Sequence, residues 1–121
     1  MNKRAAGKKY EEKACQYLEN RGMKIAERNF RSRQGEIDLI GFHGEYLVFV
    51  EVKYRARNVS HAAEAVTGSK QRRICRTADY YRYRHGMGEN RAIRYDVVAI
   101  QGKEDDLRIV WYQNAFPHIF R

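Results

Sequence analysis

The sequence has few cysteines and no long apolar segment, and each shortage excludes a class of protein. Cys15 and Cys75 are too few for a secreted disulfide framework or a cysteine-rich zinc module. The longest apolar run covers residues 46–50, whereas a membrane-spanning helix needs about 20 apolar residues. The charged residues at the start are not followed by an apolar segment, so we expect no signal peptide. These absences favour a cytoplasmic protein without membrane association.

The 121 residues contain no repeat, no low-complexity stretch and no linker, and the single proline, Pro117, lies near the end. A chain of this length typically forms one domain and buries roughly two thirds of the surface of its unfolded state. We therefore predict a single domain over residues 1–121, with a core that needs no disulfide bonds.

The formal charge is +9, from 24 Lys and Arg residues against 15 Asp and Glu residues. The excess is uneven, because residues 1–34 and 52–94 are strongly basic, whereas residues 35–51 hold four acids and no Lys or Arg. Basic surfaces of this kind bind polyanions, most often nucleic acid, through phosphate neutralisation and counterion release. The acidic segment has two interpretations: solvated turn residues, or a cation site under a phosphate-binding surface.

Hydrophobic periodicity predicts two helices and five strands. Tyr10, Ala14, Tyr17 and Leu18 recur at helical spacing, and residues 47–53 are apolar on both faces until their end, which is typical of a central strand. The predicted elements are a helix over residues 8–21, strands over 24–30, 36–42 and 46–54, a second helix over 69–85, and strands over 93–100 and 107–112. The order α-β-β-β-α-β-β indicates an α/β layer fold.

Charged residues end one face of the central strand. Because alternate strand residues share a face, Glu51 and Lys53 point to the same side as Phe49, and we expect both to be partly removed from water. The preceding strand is connected through the turn signal His43-Gly44, so the two strands are expected to pair as a hairpin.

The length of the hairpin loop decides where Asp38 lies. A two-residue loop places Asp38 opposite Phe49, and a four-residue loop, which pairs residues 42 and 47, places it opposite Glu51. Both registers put Asp38 on the face of Glu51 and Lys53, and both remain open. A three-residue loop would move Asp38 to the other face and disrupt the site.

Asp38 and Glu51, together with the main-chain carbonyl of Val52, make a set of oxygen ligands suited to Mg²⁺ or Mn²⁺. Such an ion lowers the pKa of a bound water and offsets the charge that develops on a phosphate under attack. Lys53 adds a second positive charge for the transition state or helps to orient the water. This arrangement predicts hydrolysis of phosphodiester bonds.

Asp38, twelve intervening residues and then Glu51-x-Lys53 resemble the PD-(D/E)XK nuclease signature. Residues 35–40, GEIDLI, and 47–55, LVFVEVKYR, resemble more narrowly the YraN family, a bacterial family grouped with that superfamily. The resemblance covers nearly the whole chain. Further matching motifs lie at Gly7 to Ala14, Glu64 to Val66, Lys70 to Ile74 and Arg94 to Val98.

The resemblance implies a restriction-endonuclease-like fold, a mixed central sheet flanked by helices, close to that of the archaeal Holliday-junction resolvases. It also implies a glutamate on the first helix that contributes to the metal site, four residues after a glycine. Glu11 follows Gly7 at this distance, with Glu12 as the alternative. The proline that precedes the aspartate in the superfamily is replaced by Ile37. Because those resolvases act as dimers, a homodimer is left open by analogy.

Several basic or polar residues are secondary candidates for nucleic-acid binding. Lys70, Gln71 and Arg73 open the second helix, whose free amides can hold phosphate. The resemblance implies that Lys70 or Gln71 supports the active site. Arg55 and Arg57 follow the central strand and can contact a backbone phosphate. Solvated helix residues and exposed loop arginines are the competing interpretations.

Tyrosines alternate with arginines near the end of the second predicted helix. Tyr80, Tyr81 and Tyr83 in this pattern suggest base stacking, although Tyr81 is expected in the core and the others on the helix surface. Asp96 interrupts an apolar strand, so we expect it to meet an arginine or a main-chain donor.

The sequence favours a metal-dependent nuclease of PD-(D/E)XK type that acts on DNA, with branched and single-stranded DNA both open as substrates. In this prediction Asp38 and Glu51 hold the ion, Lys53 serves the water and the phosphate, and Glu11 completes the site. The alternative is a nucleic-acid-binding protein without catalysis, and a third option is a protein-interaction role in which the charge serves only solubility. Glu11-x-Lys13 also fits the pattern of an acid two residues before a lysine, but it lies on a predicted helix, where residues two apart do not face each other. Glu51-x-Lys53 is informative because it lies on a predicted strand.

Overall fold

A computed structural model of the chain describes residues 3–55, 66–88, 90–103 and 105–119. Its elements are α1 (Lys3–Glu19), β1 (Lys24–Arg31), β2 (Glu36–His43), β3 (Tyr46–Arg55), α2 (Gly68–Arg84), β4 (Ile93–Lys103) and β5 (Asp106–Phe116). They follow in the predicted order, so the mixed α/β fold is confirmed. α1 begins at Lys3 rather than at residue 8, because Lys, Arg and Ala favour a helix even where no apolar stripe marks it.

The strands form one sheet in the order β1-β2-β3-β4-β5. β3 and β4 run parallel, and the other neighbouring strands run antiparallel. A parallel pair needs a crossover connection, which here contains α2, whereas short turns join antiparallel strands. β3 is therefore the central strand, as its apolar pattern predicted.

Each face of the sheet carries one helix and one part of the core. On the α1 face, Leu18 packs with Val48 and Val50 of β3. On the α2 face, the Tyr81 ring meets Phe49 edge-on, with the ring centroids 6.0 Å apart. The alternating side chains of β3 thus enter two different apolar layers, which is why this strand is apolar on both faces.

The β2–β3 hairpin has the register that places Asp38 opposite Glu51. The paired residues are His43 with Tyr46, Phe42 with Leu47, and Leu39 with Val50. This is the pairing that the sequence associated with a four-residue loop, and it continues one pair further, so that only Gly44 and Glu45 turn. Gly44 has φ +59°, a left-handed conformation that favours glycine and suits a tight hairpin.

The end of β5 and the residues after it pack against their own chain. The Phe116 ring stacks on Tyr95 with centroids 5.2 Å apart, and the Ile119 main-chain N–H donates to Cys75 Sγ at 3.4 Å. Phe116 and Ile119 therefore cover the core of the same molecule. Neither α1 nor α2, the helices within the described residues, is long and apolar enough to cross a membrane.

Candidate active site

Asp38 and Glu51 lie side by side where the regular pairing of β2 and β3 ends. Asp38 Oδ2 accepts a hydrogen bond from the Val52 main-chain N–H at 2.8 Å, and the Glu51 carboxyl group lies close enough to raise the pKa of Asp38. Glu51 is only 5% exposed, and a glutamate buried to this degree normally has a partner. The hairpin thus brings two carboxyl groups together in a region that is mostly shielded from water.

Burial and a neighbouring charge change the protonation of Asp38. Removal from water is the largest cause of its shift and the negative charge of Glu51 the second, and together they raise the pKa of Asp38 to about 8. The hydrogen bond from Val52 opposes this shift. Asp38 is therefore mainly protonated at neutral pH when no added cation is near. A cation between the two carboxyl groups would favour the charged form of Asp38, so this position can accept positive charge.

Two lysines share one oxygen of Glu51. Lys53 Nζ lies 3.5 Å from Glu51 Oε2, and Lys70 Nζ binds the same oxygen. Lys53 extends from β3, whereas Lys70 comes from the first turn of α2, where its main-chain N–H donates to the capping hydroxyl of Thr67 at 3.2 Å. The site therefore combines groups from β2, β3 and α2.

The two lysines differ in how firmly they hold their protons. Burial, together with Lys70 beside it, lowers the pKa of Lys53 in spite of the Glu51 charge. Burial also acts against the charged form of Lys70, but its hydrogen bond and charge interaction with Glu51 outweigh this and raise its pKa. Lys53 is thus the lysine that loses a proton more readily.

Glu11, rather than Glu12, is the α1 acid that lies towards this pair. Burial raises the pKa of Glu11, a hydrogen bond with Asn29 lowers it, and the charge of Glu51 raises it further. Glu12 instead binds the Arg28 side chain at an exposed position. No sequence motif pointed to Asn29, which has φ +53° and so adopts a left-handed conformation that asparagine tolerates better than most residues.

An open cleft of about 460 Å³ adjoins Glu11 between α1, β1 and β2. Its lining residues are Gly7, Lys8, Glu11, Asn29, Arg31 and Glu36. Lys8 and Arg31 thus line this cleft together with Glu11 and Glu36, and they can contact a phosphate that enters it.

The donor set of this site fits a hard divalent cation. Across the described part of the chain, no group of three or more His, Cys, Asp or Glu side chains is arranged to hold a metal ion. The available ligands are the carboxylates of Asp38 and Glu51 and the Val52 carbonyl, which points to the β2 side because the N–H and C=O of a strand residue face the same neighbour. Mg²⁺ typically uses one or two carboxylates and keeps several waters, so this small set is sufficient.

The other predicted binding residues have varied surroundings. The Gln71 side chain donates to the Val66 carbonyl at 2.9 Å and so fastens the segment that enters α2. Arg55 is exposed at the end of β3 and donates to the main-chain carbonyl of the preceding residue. Arg73 is exposed on α2, and Arg57 lies outside the described residues. Among the members of this group that the structure describes, only Lys70 contacts the acids.

Asp96 belongs to a separate network at the other side of β3. It is fully buried and accepts hydrogen bonds from the Arg94 side chain at 2.9 Å, the Trp111 indole N–H at 2.8 Å and the Asn114 main-chain N–H at 2.9 Å. The expected arginine and main-chain donor are thus both present. Because donors of the chain itself satisfy its oxygens, Asp96 serves the fold rather than a cation site.

A family model described as "Uncharacterised protein family UPF0102" matches residues 10–100, which include every acid and lysine of the site. The UPF0102 protein of Colwellia psychrerythraea is 43% identical over 112 residues, which cover 91% of this chain and 87% of the relative. That of Aliivibrio salmonicida is 45% identical over 116 residues, covering 94% and 93%. That of Lachnoclostridium phytofermentans is 43% identical over 118 residues, covering 96% of each chain.

Proposed function

Because the chain belongs to the UPF0102 family, which is the YraN family, and because that description assigns no activity, we propose a function from the site itself. We propose that the protein is a metal-dependent nuclease of PD-(D/E)XK type that hydrolyses phosphodiester bonds in DNA. The observation that carries the proposal is the shielded pair of Asp38 and Glu51, with Lys53 in contact with Glu51.

Asp38, Glu51 and the Val52 carbonyl would hold Mg²⁺ or Mn²⁺. When bound, such an ion supplies positive charge that offsets the charge developing on a phosphate and favours ionisation of a water. The Val52 amide already orients the Asp38 carboxyl group, and the strand fixes Glu51, so the ligands need little rearrangement. The half-buried Glu11 would add negative charge nearby without belonging to a three-acid cluster.

Lys53 would act on the scissile phosphate and the attacking water. Its ammonium group is partly buried beside Glu51, so its charge is less screened than that of a surface lysine. Its lowered pKa also makes it better able than a free lysine to exchange a proton with a water near neutral pH. Either role requires a position next to the acids, which the β3 spacing supplies.

The charge distribution supports a nucleic-acid substrate. The chain carries +9 overall, yet residues 35–51, which include Asp38 and Glu51, contain no Lys or Arg. An acidic patch on a basic protein suits a reaction in which the surface binds the phosphate backbone and the patch binds the catalytic cation. The resemblance of Asp38 and Glu51-x-Lys53 to the nuclease signature agrees with the assignment of the cation to the acidic patch.

A nucleic-acid-binding protein without catalysis is the second candidate. Lys70 favours it, because this lysine binds Glu51 and so supplies from within the chain the positive charge that a metal ion would bring. The acids would then serve as structural partners of Lys53 and Lys70, and the basic surface alone would hold the nucleic acid.

Cleavage assays separate the two candidates. The protein is incubated with labelled junction, flap, single-stranded and duplex DNA in Mg²⁺ or Mn²⁺, and the products are separated on denaturing gels. A nuclease cuts at least one substrate, and EDTA prevents the cut. Binding without cleavage of any substrate supports the binding protein, and absent or salt-independent binding supports a protein-interaction role.

Two substitutions identify the residues responsible. Asp38→Asn should reduce cleavage by about a hundredfold or more and leave DNA binding unchanged or stronger, because it removes an acid from the path of the phosphates. Glu12→Gln is the matched control, since it also removes one carboxylate but from the exposed pair with Arg28, and it should cut at the parental rate. An Asp38→Asn variant with parental activity would contradict the assignment.

A further inference from the structure

The outer face of α2 carries a continuous row of basic and aromatic side chains. The row consists of Arg73, Arg76, Tyr80, Tyr83 and Arg84, all of them exposed, and we call it the α2 stripe. Arg76, Tyr80 and Tyr83 each follow the preceding member by three or four residues, and Arg84 lies four residues after Tyr80, so all five share one side of the helix. Asp79 is the one acid within α2, and it is paired with Arg82 at 2.7 Å.

The α2 stripe begins at the candidate active site. Lys70, one turn before Arg73, binds Glu51, and the side chain of Arg73 lies beside Gly35 at the start of the segment that leads to Asp38. From Lys70 to Tyr83 the helix rises about 20 Å, at 1.5 Å per residue. A chain of phosphates lying along the stripe would therefore arrive at the two acids.

The tyrosine rings of the stripe are available to a ligand. Tyr83 is 83% exposed and Tyr80 is 41% exposed, and within the described residues the only other exposed large hydrophobic side chain is Tyr46. The Tyr80 ring is tilted by 34° against Phe30, with the ring centroids 6.2 Å apart, and the Arg84 guanidinium lies 5.8 Å from the centre of the Tyr80 ring. Tyr83 has no comparable ring partner among the described residues.

We propose that the α2 stripe binds a single-stranded segment of nucleic acid and leads its backbone to Asp38 and Glu51. The arginines match the charge of the phosphates, and the exposed rings offer faces on which bases can stack. Bases in a duplex already stack on one another and do not present these faces, so the rings select single strands. The destination of the strand rests on the proposed function, whereas its binding to the α2 stripe does not.

Binding is measured without metal, so that cleavage does not interfere. Fluorescence anisotropy in EDTA follows a labelled oligothymidylate of about 15 nucleotides, a length within the known range of single-strand sites. Tyr83→Leu should weaken binding about fivefold or more, because the leucine cannot stack on a base. Tyr83→Phe keeps the ring and should bind as the parental protein does. The same variants should bind duplex DNA with unchanged affinity.

The arginines are tested by the salt dependence of the same binding. Arg76→Gln should reduce the slope of log affinity against log salt by about 0.7, the value for one phosphate contact on a single strand. Arg108→Gln removes an equal charge from an exposed position on β5 and should leave the slope unchanged. Equal effects of the two substitutions would contradict a specific path along α2.

The outcomes distinguish this inference from the proposed nuclease. If Tyr83→Leu binds the single strand with parental affinity, or weakens single-strand and duplex binding equally, the inference is wrong whether or not the protein cuts DNA. If Tyr83→Leu fails to bind and the parental protein never cuts, the stripe is supported and the nuclease proposal fails. A change of oligomeric state in Tyr83→Leu, seen by light scattering, would instead assign the stripe to contact with a second copy.

Discussion

The Asp38 carboxyl group accepts the Val52 amide hydrogen at 2.8 Å, and this bond holds an acid of β2 against the strand that carries Glu51. The bond forms just beyond Leu39 and Val50, the last regular pair of the hairpin. The Val52 N–H, which would otherwise continue the main-chain hydrogen bonds between β2 and β3, therefore orients the Asp38 side chain. The bond favours the charged form of Asp38, whereas burial and Glu51 favour the neutral form, and the balance is open to measurement.

The first prediction concerns the pH dependence of stability. The pKa of Asp38 is about 8 in the folded protein, against an ordinary value of about 3.9, so between these values the folded state keeps a proton that the unfolded chain releases. This contribution to stability is therefore present at low pH and is lost as the pH rises towards 8. Asp38→Asn cannot ionise, and its stability relative to the parental protein should increase by about 1 kcal/mol or more between pH 5 and pH 8.

Urea unfolding in EDTA at the two pH values measures this difference. The asparagine keeps an oxygen that can accept the Val52 amide hydrogen, so the substitution changes this hydrogen bond less than it changes the ionisation of residue 38. Glu12→Gln again serves as the control, because Glu12 is exposed, and its stability relative to the parental protein should not follow the same trend. A parental protein that becomes more stable than Asp38→Asn as the pH rises would show that Asp38 is ionised in the fold.

The second prediction concerns competition between Lys70 and a metal ion. Lys70 binds Glu51 Oε2, an oxygen that a cation held by Asp38 and Glu51 would also need. Lys70→Gln removes the competing charge and should tighten Mn²⁺ binding by about tenfold, which corresponds to about 1.4 kcal/mol. Isothermal titration calorimetry measures the affinity, and Lys24→Gln, at an exposed position on β1, controls for overall charge. Weaker Mn²⁺ binding by Lys70→Gln would mean that Lys70 helps to build the site.

The sequence predicted the hairpin well because local chemistry determines it. The turn signal predicted a hairpin, and two of the three loop lengths considered keep Asp38, Glu51 and Lys53 on one face; the fold has one of these two registers. The choice between the two depended on which residues form the turn, His43 and Gly44 in one register or Gly44 and Glu45 in the other. The residue types around Gly44 do not specify this position uniquely.

Contacts between distant segments were harder to predict. Lys70 lies 19 positions after Glu51, and its place at a helix start indicated phosphate binding. Only the resemblance suggested that Lys70 or Gln71 supports the active site, and no local pattern predicted the contact of Lys70 with Glu51. Asn29 reaches Glu11 from β1, a contact that depends on how α1 lies across the sheet. Such pairs follow from the packing of whole elements, and the periodicity of either segment alone does not contain that information.

The third prediction concerns the Asp96 network, which stabilises the β4–β5 pair. Asp96→Asn leaves the buried Arg94 guanidinium without a carboxylate, and such a loss typically costs about 3–5 kcal/mol. Trp111→Phe removes only one donor to Asp96 and should cost about 1–2 kcal/mol. Urea unfolding followed by circular dichroism measures both losses of stability; tryptophan fluorescence is unsuitable because Trp111 is the only tryptophan and one variant lacks it.

Because Asp96 is separate from the acids of the candidate site, the folded Asp96→Asn protein should bind Mn²⁺ with parental affinity. A cost below that of Trp111→Phe would show that the Arg94 charge is satisfied elsewhere.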